Sequence, residues 1–289
     1  GSAGRYAVDI LQRLGCNVTA LRCEANGHFP DHAPDPSKEQ HLTQLKQTVL
    51  NVQAHLGFAL DGDGDRMVIV DETGQVICAD RLMCLFAKMC LEQHPQHEIV
   101  FDVKCSNQLV QCVQAFGGIA TMIRTGSTFL RQYIAKSQRK AVFGGEYAGH
   151  YVFNDGRGQG YDDGLYAALR IIEYFSMQSA QHFSHLMSHF PPRYCTEDTY
   201  IPTYQYNPAQ IFLELEQQCR HISAHLTKID GLRLDFDDGF GIIRASNTGE
   251  YFTVRFDANS SSRLAQIRHQ FADILEDYPD IARDIRNTH

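Results

Sequence analysis

The segment Leu60-Asp61-Gly62-Asp63-Gly64-Asp65-Arg66 constrains the chain more than any other, because it sets a carboxylate at every second position of a glycine-rich turn and closes it with a guanidinium. Apolar runs flank it, Leu56 to Leu60 before and Met67 to Val70 after, and each reads as a short buried strand. Like charges this close repel unless a cation sits among them, and glycine lets the backbone curl until the side chains converge. Asp61, Asp63 and Asp65 are therefore candidate ligands of a hard divalent cation, Mg²⁺, Mn²⁺ or Ca²⁺. A calcium EF-hand is the rival arrangement, since Asp61, Asp63, Asp65 and Glu72 have its ligand spacing. Against it stand Arg66 where that loop needs glycine, and strand-like flanks where it needs helices. An ion-free hairpin turn rich in Asp and Gly is the plainer alternative.

A length of 289 residues points to two or three domains, each able to bury a core. The net charge of −8 and the lack of any Lys/Arg block exclude a general nucleic-acid binder, so an anionic ligand must be held locally. Nine cysteines without a C-x-x-C pair argue against a zinc ribbon or a disulfide framework and for reduced thiols. With no apolar run long enough to span a bilayer and no signal peptide, a soluble cytoplasmic protein without a membrane partner is expected.

Along the chain, periodicity predicts a helix over Tyr6 to Leu14, a strand over Cys16 to Leu21, a proline-bounded loop from Phe29 to Pro36 and a helix from Lys38 to His55. Asp71 to Gly74 reads as a turn, and Asp80 as the cap of a helix reaching Glu92. Strands and helices then alternate: Glu98 to Val103, Asn107 to Phe116, Ala120 to Ile123, Phe129 to Lys136, Ala141 to Phe143, and a helix from Asp162-Asp163-Gly164 to Phe175. That alternation implies a largely parallel sheet with ligands on the loops beyond its strands. After Phe190-Pro191-Pro192 come a strand over Thr199 to Thr203, a helix from Pro208 to Leu226, a hairpin over Gly231 to Arg244, a strand over Tyr251 to Asp257 and a helix from Ser262 to Leu275. The fold class is α/β, with domains at 1–94 and 95–193 followed by a smaller α+β domain at 194–289.

Arg244-Ala245-Ser246-Asn247-Thr248-Gly249 puts a guanidinium, hydroxyls, an amide and backbone N–H groups on one turn, as a phosphate cradle would; it is equally ordinary turn chemistry. Glu146 and His150 can accept from and donate to hydroxyls, or sit on a solvated loop. Taken in order, DGDGDR at 61–66, FDVKCS at 101–106, GGEYAGH at 144–150 and RASNT at 244–248 resemble the metal, catalytic-lysine, sugar-binding and phosphate-binding loops of the α-D-phosphohexomutases, in particular the bacterial phosphomannomutase/phosphoglucomutase group. FPDHAPDP at 29–36 and DDGLYAALRIIE at 162–173 are similar to further segments, so the resemblance spans essentially the whole chain.

The resemblance implies phosphate transfer between O1 and O6 of a hexose such as mannose or glucose, by way of a phosphoserine and a hexose 1,6-bisphosphate that reorients between half-reactions. It implies Mg²⁺ on Asp61, Asp63 and Asp65, catalytic roles for Lys104, Arg66 and His150, and substrate contacts from Thr125, Gly126, Glu146, His150, Arg244, Ser246, Asn247 and Thr248. The protein is expected to be a monomer or a homodimer. Its three domains correspond to the family's second to fourth, and no serine loop of the first domain occurs in the sequence. A fragment of a longer enzyme, inactive by itself, is therefore expected. A phosphoglucosamine mutase and a non-catalytic sugar-phosphate binder are the alternatives. Tyr147 and Ala148, Ser127, and Gly249-Glu250 depart from the group's usual residues, removing a hydroxyl and a histidine and adding a negative charge near the phosphate.

Overall fold

The computed structural model describes residues 1–246 and 249–288, with the backbone alone at Arg220. The chain folds as two units, an N-terminal one (Gly1–Asp102, Gln108–Met122 and Gly126–Pro191) and a C-terminal one (Val103–Asn107, Ile123–Thr125 and Pro192–His289).

The N-terminal unit opens with α1 (Gly4–Arg13), which buries Ala7 and Leu11. Residues 16–21, expected as a strand, form none: Cys16, Val18 and Leu21 are half-buried, but the spacing of two breaks after Val18, where Ala20 is exposed, and among the described residues no strand pairs with this segment. A short 3-10 turn leads into α2 (Thr43–Val52), which a left-handed Gln53 ends. Strands β1 (Leu56–Leu60) and β2 (Met67–Asp71) pair antiparallel with Leu60 opposite Met67, so the acidic segment is their connection. The Asp71 carboxylate then accepts from Thr73 and Gln75, an Asx turn that returns the chain as β3 (Val76–Ile77).

Helix α3 (Ala79–Gln93) is apolar on nearly every side and correspondingly buried. Cys78, not the expected Asp80, is its N-cap; Asp80 lies buried inside the first turn. Next come β4 (Glu98–Asp102), α4 (Asn107–Ala115), β5 (Ile119–Ile123), α5 (Ser127–Lys136), β6 (Ala141–Gly145) and β7 (Tyr151–Phe153). The sheet order is β5-β4-β6-β7; β6 runs parallel to β4, and the unanticipated β7 turns back antiparallel, so the sheet is mixed. Phe86 of α3 packs 5.0 to 5.2 Å from the rings of Phe143, Tyr151 and Phe153, which fixes helix to sheet. Helix α6 (Gly164–Ser176) starts at Asp163, whose carboxylate accepts from the Tyr166 amide at 2.9 Å, and α7 (Phe183–Met187) follows.

In the C-terminal unit, β8 (Tyr194–Cys195) and β9 (Thr199–Pro202) precede α8 (Pro208–Gln218). The expected helix to Leu226 stops short. Ile222, Ala224 and Leu226 pack on the same core from non-helical backbone, and β10 (His225–Thr227) pairs with β11 (Leu232–Phe236). Strands β12 (Gly239–Ala245) and β13 (Tyr251–Ala258) complete a sheet ordered β10-β11-β12-β13-β8, with β9 also on β13. Helices α9 (Ser261–Ile274) and α10 (Pro279–Arg286) bury Ile267, Phe271, Ile281 and Ile285 into that core. The chain is thus α/β in its N-terminal unit and α+β in its C-terminal one.

Candidate active site

Asp61 organises the acidic turn. Its Oδ1 accepts the backbone amides of Gly64 (2.9 Å) and Arg66 (3.2 Å), and its Oδ2 accepts Nε of Arg66 at 2.8 Å. Burial alone would raise this carboxyl, but the bonds and charge of Arg66 hold it below the ordinary range. Asp65 shows the opposite balance. Burial, with the nearby charges of Asp61 and Asp63, pushes it up to about 6 despite the offsetting charge of His150. Asp61, Asp63 and Asp65 each offer an oxygen within 4.8 Å of the others, a hard donor set whose crowded charge a divalent cation would neutralise; the residues present fit Mg²⁺. The strand flanks dispose of the EF-hand alternative.

The Gly144–His150 stretch, which runs from the last two residues of β6 to the start of β7, meets this turn directly. The Met67 amide donates to the Gly149 carbonyl at 3.0 Å, and Arg66 and His150 form an antiparallel bridge. At the start of α6, the Gly164 amide donates to the Gly64 carbonyl at 2.9 Å. His150 Nδ1 lies 2.9 Å from Asp162 and 3.6 Å from Asp65. Burial alone would lower the His150 pKa, but Asp162, Glu146 and Asp65 raise it above the usual imidazole value. Asp162 also accepts Arg131 at 2.8 Å, and Asp162 escaped site prediction although the DDG at 162–164 was visible in the sequence. Buried Glu146 accepts the Gly126 amide, bringing two of the expected substrate residues together.

The C-terminal unit carries the remaining candidates. Lys104 pairs with Asp198, and the carbonyls around it are seized by two arginines: Val103 and Cys105 accept from Arg233, and Lys104 from Arg255. These arginines are 1% and 0% exposed. Asp257 accepts Ser106 at 3.0 Å and Arg193 at 2.7 Å, closing the frame around the lysine segment. Arg244 donates from Nε to Asp230 at 2.9 Å, and the Thr125 amide reaches the same carboxylate oxygen at 3.1 Å. Ser246 accepts the Gly249 amide at 3.2 Å. Asn247 and Thr248 lie outside the described residues. Sequence reasoning missed Asp198, Asp230, Arg233, Arg255 and Asp257; charge at strand positions was the available signal for Arg233, Arg255 and Asp257, whereas Asp198 and Asp230 lie outside the strands.

Family models of phosphoglucomutase/phosphomannomutase match in succession, with alpha/beta/alpha domain II over residues 1–74, alpha/beta/alpha domain III over residues 79–194 and the C-terminal domain over residues 211–274. The chain belongs to the phosphoglucomutase/phosphomannomutase family. The phosphomannomutase/phosphoglucomutase of Pseudomonas aeruginosa is 36% identical over 276 residues, which cover 96% of this chain and 59% of that protein. The phosphoglucomutase of Neisseria gonorrhoeae is 36% identical over 283 residues, covering 97% and 60%. A crystal structure of a phosphoglucomutase/phosphomannomutase family protein from Burkholderia thailandensis superposes with a TM-score of 0.88 at 33% identity, over 100% of this chain and 60% of that one. This member of the family therefore spans about 60% of the length of the relatives it matches. Among its described residues, no helix is long and apolar enough to cross a membrane.

Proposed function

We propose that these residues form the metal-, sugar- and phosphate-binding part of a phosphohexomutase that interconverts the 1- and 6-phosphates of mannose or glucose. The transferable phosphate would reside on a serine contributed from outside the 289 residues, with a hexose 1,6-bisphosphate as the intermediate that turns over between half-reactions. In this reading the domains are 1–94, 95–193 and 194–289.

Each residue then has a task. Asp61, Asp63 and Asp65 hold Mg²⁺, which when bound supplies positive charge beside the phosphoryl group. Arg66, fixed by Asp61, adds a second positive charge that cannot be titrated away. His150, whose Nδ1 lies 2.9 Å from the Asp162 carboxylate, is suited to exchange a proton with a sugar hydroxyl. Lys104 stabilises the transferring group, and Glu146 with Thr125 and Gly126 orients the sugar. Arg244, Ser246, Asn247 and Thr248 grip the phosphate that is not reacting, so binding far from the chemistry positions the reacting end.

One observation supports this reading above the others: the acidic turn and the His150 loop are joined backbone to backbone at Met67 and Gly149. The test is a coupled assay of the full-length protein on glucose, mannose and glucosamine 1-phosphates beside the 289-residue chain. Turnover of the glucose or mannose compound by the former and none by the latter is expected. Robust turnover by the chain alone would refute the external serine, and turnover of the glucosamine compound only would refute the substrate class.

A further inference from the structure

Asp230 has no task in the proposed reaction, yet one of its oxygens receives a donor from each of two substrate segments, Arg244 Nε at 2.9 Å and the Thr125 amide at 3.1 Å. The sheet register explains how it arrives there. Leu232 of β11 pairs with Ile243 of β12, which sets Gly231 across from Arg244 and Asp230 just beyond the end of the strand. Gly231 has φ +82°, and a Cβ there would stand 2.3 Å from the Ile243 carbonyl oxygen and 2.6 Å from the α-carbon of Arg244. Only glycine lets the turn fold this closely over the arginine's backbone. The resulting ion pair is nearly dry, with side chains 8% and 9% exposed.

We infer that Asp230 is a positioning residue: it takes the Nε edge of the Arg244 guanidinium, fixing the plane in which the two Nη groups meet an anion, and it holds Thr125 in the same frame. A guanidinium is a rigid fork, so fixing one edge fixes the direction of the other. Its value to phosphate binding is geometric, because in charge alone a carboxylate beside Arg244 opposes an incoming dianion. The two effects have opposite signs in Asp230→Asn. Loss of positioning weakens phosphate binding, whereas loss of charge alone tightens it.

The inference rests on Arg244 being the phosphate grip, and the experiment separates the two. Glucose 1-phosphate is titrated into the 289-residue protein and followed by NMR, with the Thr125 amide as a local reporter. Arg244→Lys, which forfeits the fork, should weaken binding; if it does not, the assignment of the phosphate grip fails, and the inference with it. Given that loss, Asp230→Asn is expected to bind roughly tenfold more weakly, the scale of a charge-assisted hydrogen bond, with the Thr125 amide shifted and the urea midpoint near that of the parent. Equal or tighter binding by the folded Asp230→Asn protein overturns the inference. Should that variant not fold, Asp230→Glu decides: it keeps the charge and lengthens the arm, so several-fold weaker binding supports positioning and parent-like affinity overturns it.

Discussion

Arg66 donates from Nη1 to Asp35 at 3.0 Å, which ties the guanidinium of the acidic turn to a proline-bounded loop 31 residues upstream. With Asp61 on its Nε, Arg66 is held from two sides and cannot swing away from the turn. Burial alone would raise the Asp35 carboxyl, but the Ser37 hydroxyl and amide, and then Arg66, hold it below its ordinary value of 3.8. Its contribution to stability is therefore present above that value and is lost as pH falls through the depressed one. Asp35→Asn is expected to cost about 0.5–1 kcal/mol at pH 7, read as a lower urea midpoint at unchanged slope. The gap between variant and parent should narrow as pH falls below about 4. A gap that widens on acidification would contradict the pairing.

A second pair sits deeper. Asp155 and Arg170 meet at 2.7 Å with side chains 1% and 5% exposed, and the guanidinium lies 4.5 Å from the centre of the Phe153 ring. Burial would raise the Asp155 carboxyl; Arg170 and the Gly158 and Arg157 amides lower it below the ordinary value. Arg170→Met strands a buried carboxylate and should lose about 3–5 kcal/mol in urea unfolding at pH 7. The double variant Asp155→Asn with Arg170→Met should recover part of that loss, because no unpaired charge is left behind. A double variant less stable than Arg170→Met would show that the pair is not the source of the effect.

The parts legible in the sequence are those fixed by neighbours along the chain. The β1 and β2 runs and the acidic turn between them are such a case, as is Asp163 at the start of α6, because local period and capping chemistry decide them. Residues 16–21 misled because β-prone, partly apolar residues report partial burial and not pairing, and a strand needs a partner that local sequence does not show. Arg233 is the clearest failure: in Leu232-Arg233-Leu234-Asp235-Phe236 alternation would turn it to solvent, but the lysine segment, 128 and 130 residues away, covers it. Its burial is a long-range contact, and so is the meeting of Asp230 with Thr125.

Asp63 offers the cleanest test of the cation site, since it is the exposed member of the three carboxylates. Asp63→Ala should unfold at nearly the parent's temperature without added metal, as surface substitutions do. A cation that binds only the native state raises the melting temperature by mass action. Parent protein should therefore gain stability with millimolar Mg²⁺ while Asp63→Ala gains far less. An equal Mg²⁺-dependent rise in both proteins would remove Asp63 from the ligand set.

Gly164 joins the acidic turn to α6, and a side chain there has nowhere to go. An added Cβ would stand 2.7 Å from the Arg66 carbonyl oxygen and 2.9 Å from that of Gly64, both backbone atoms of the turn itself. The turn cannot yield locally, because the Gly64 carbonyl is the acceptor of the Gly164 amide. Gly164→Ala must displace either the helix start or the backbone that carries Asp63 and Asp65, at about 1–3 kcal/mol of stability. Alanine is favoured over glycine by at most about 1 kcal/mol, the helix-interior value, at this first helical position, so intrinsic propensity does not oppose the substitution and a net loss reports the clash. Urea unfolding gives the stability change, and Mg²⁺ titration of the same variant gives the second readout. Lower stability together with weaker Mg²⁺ binding is expected, whereas a more stable protein with parent-like Mg²⁺ affinity would mean that α6 does not brace the turn.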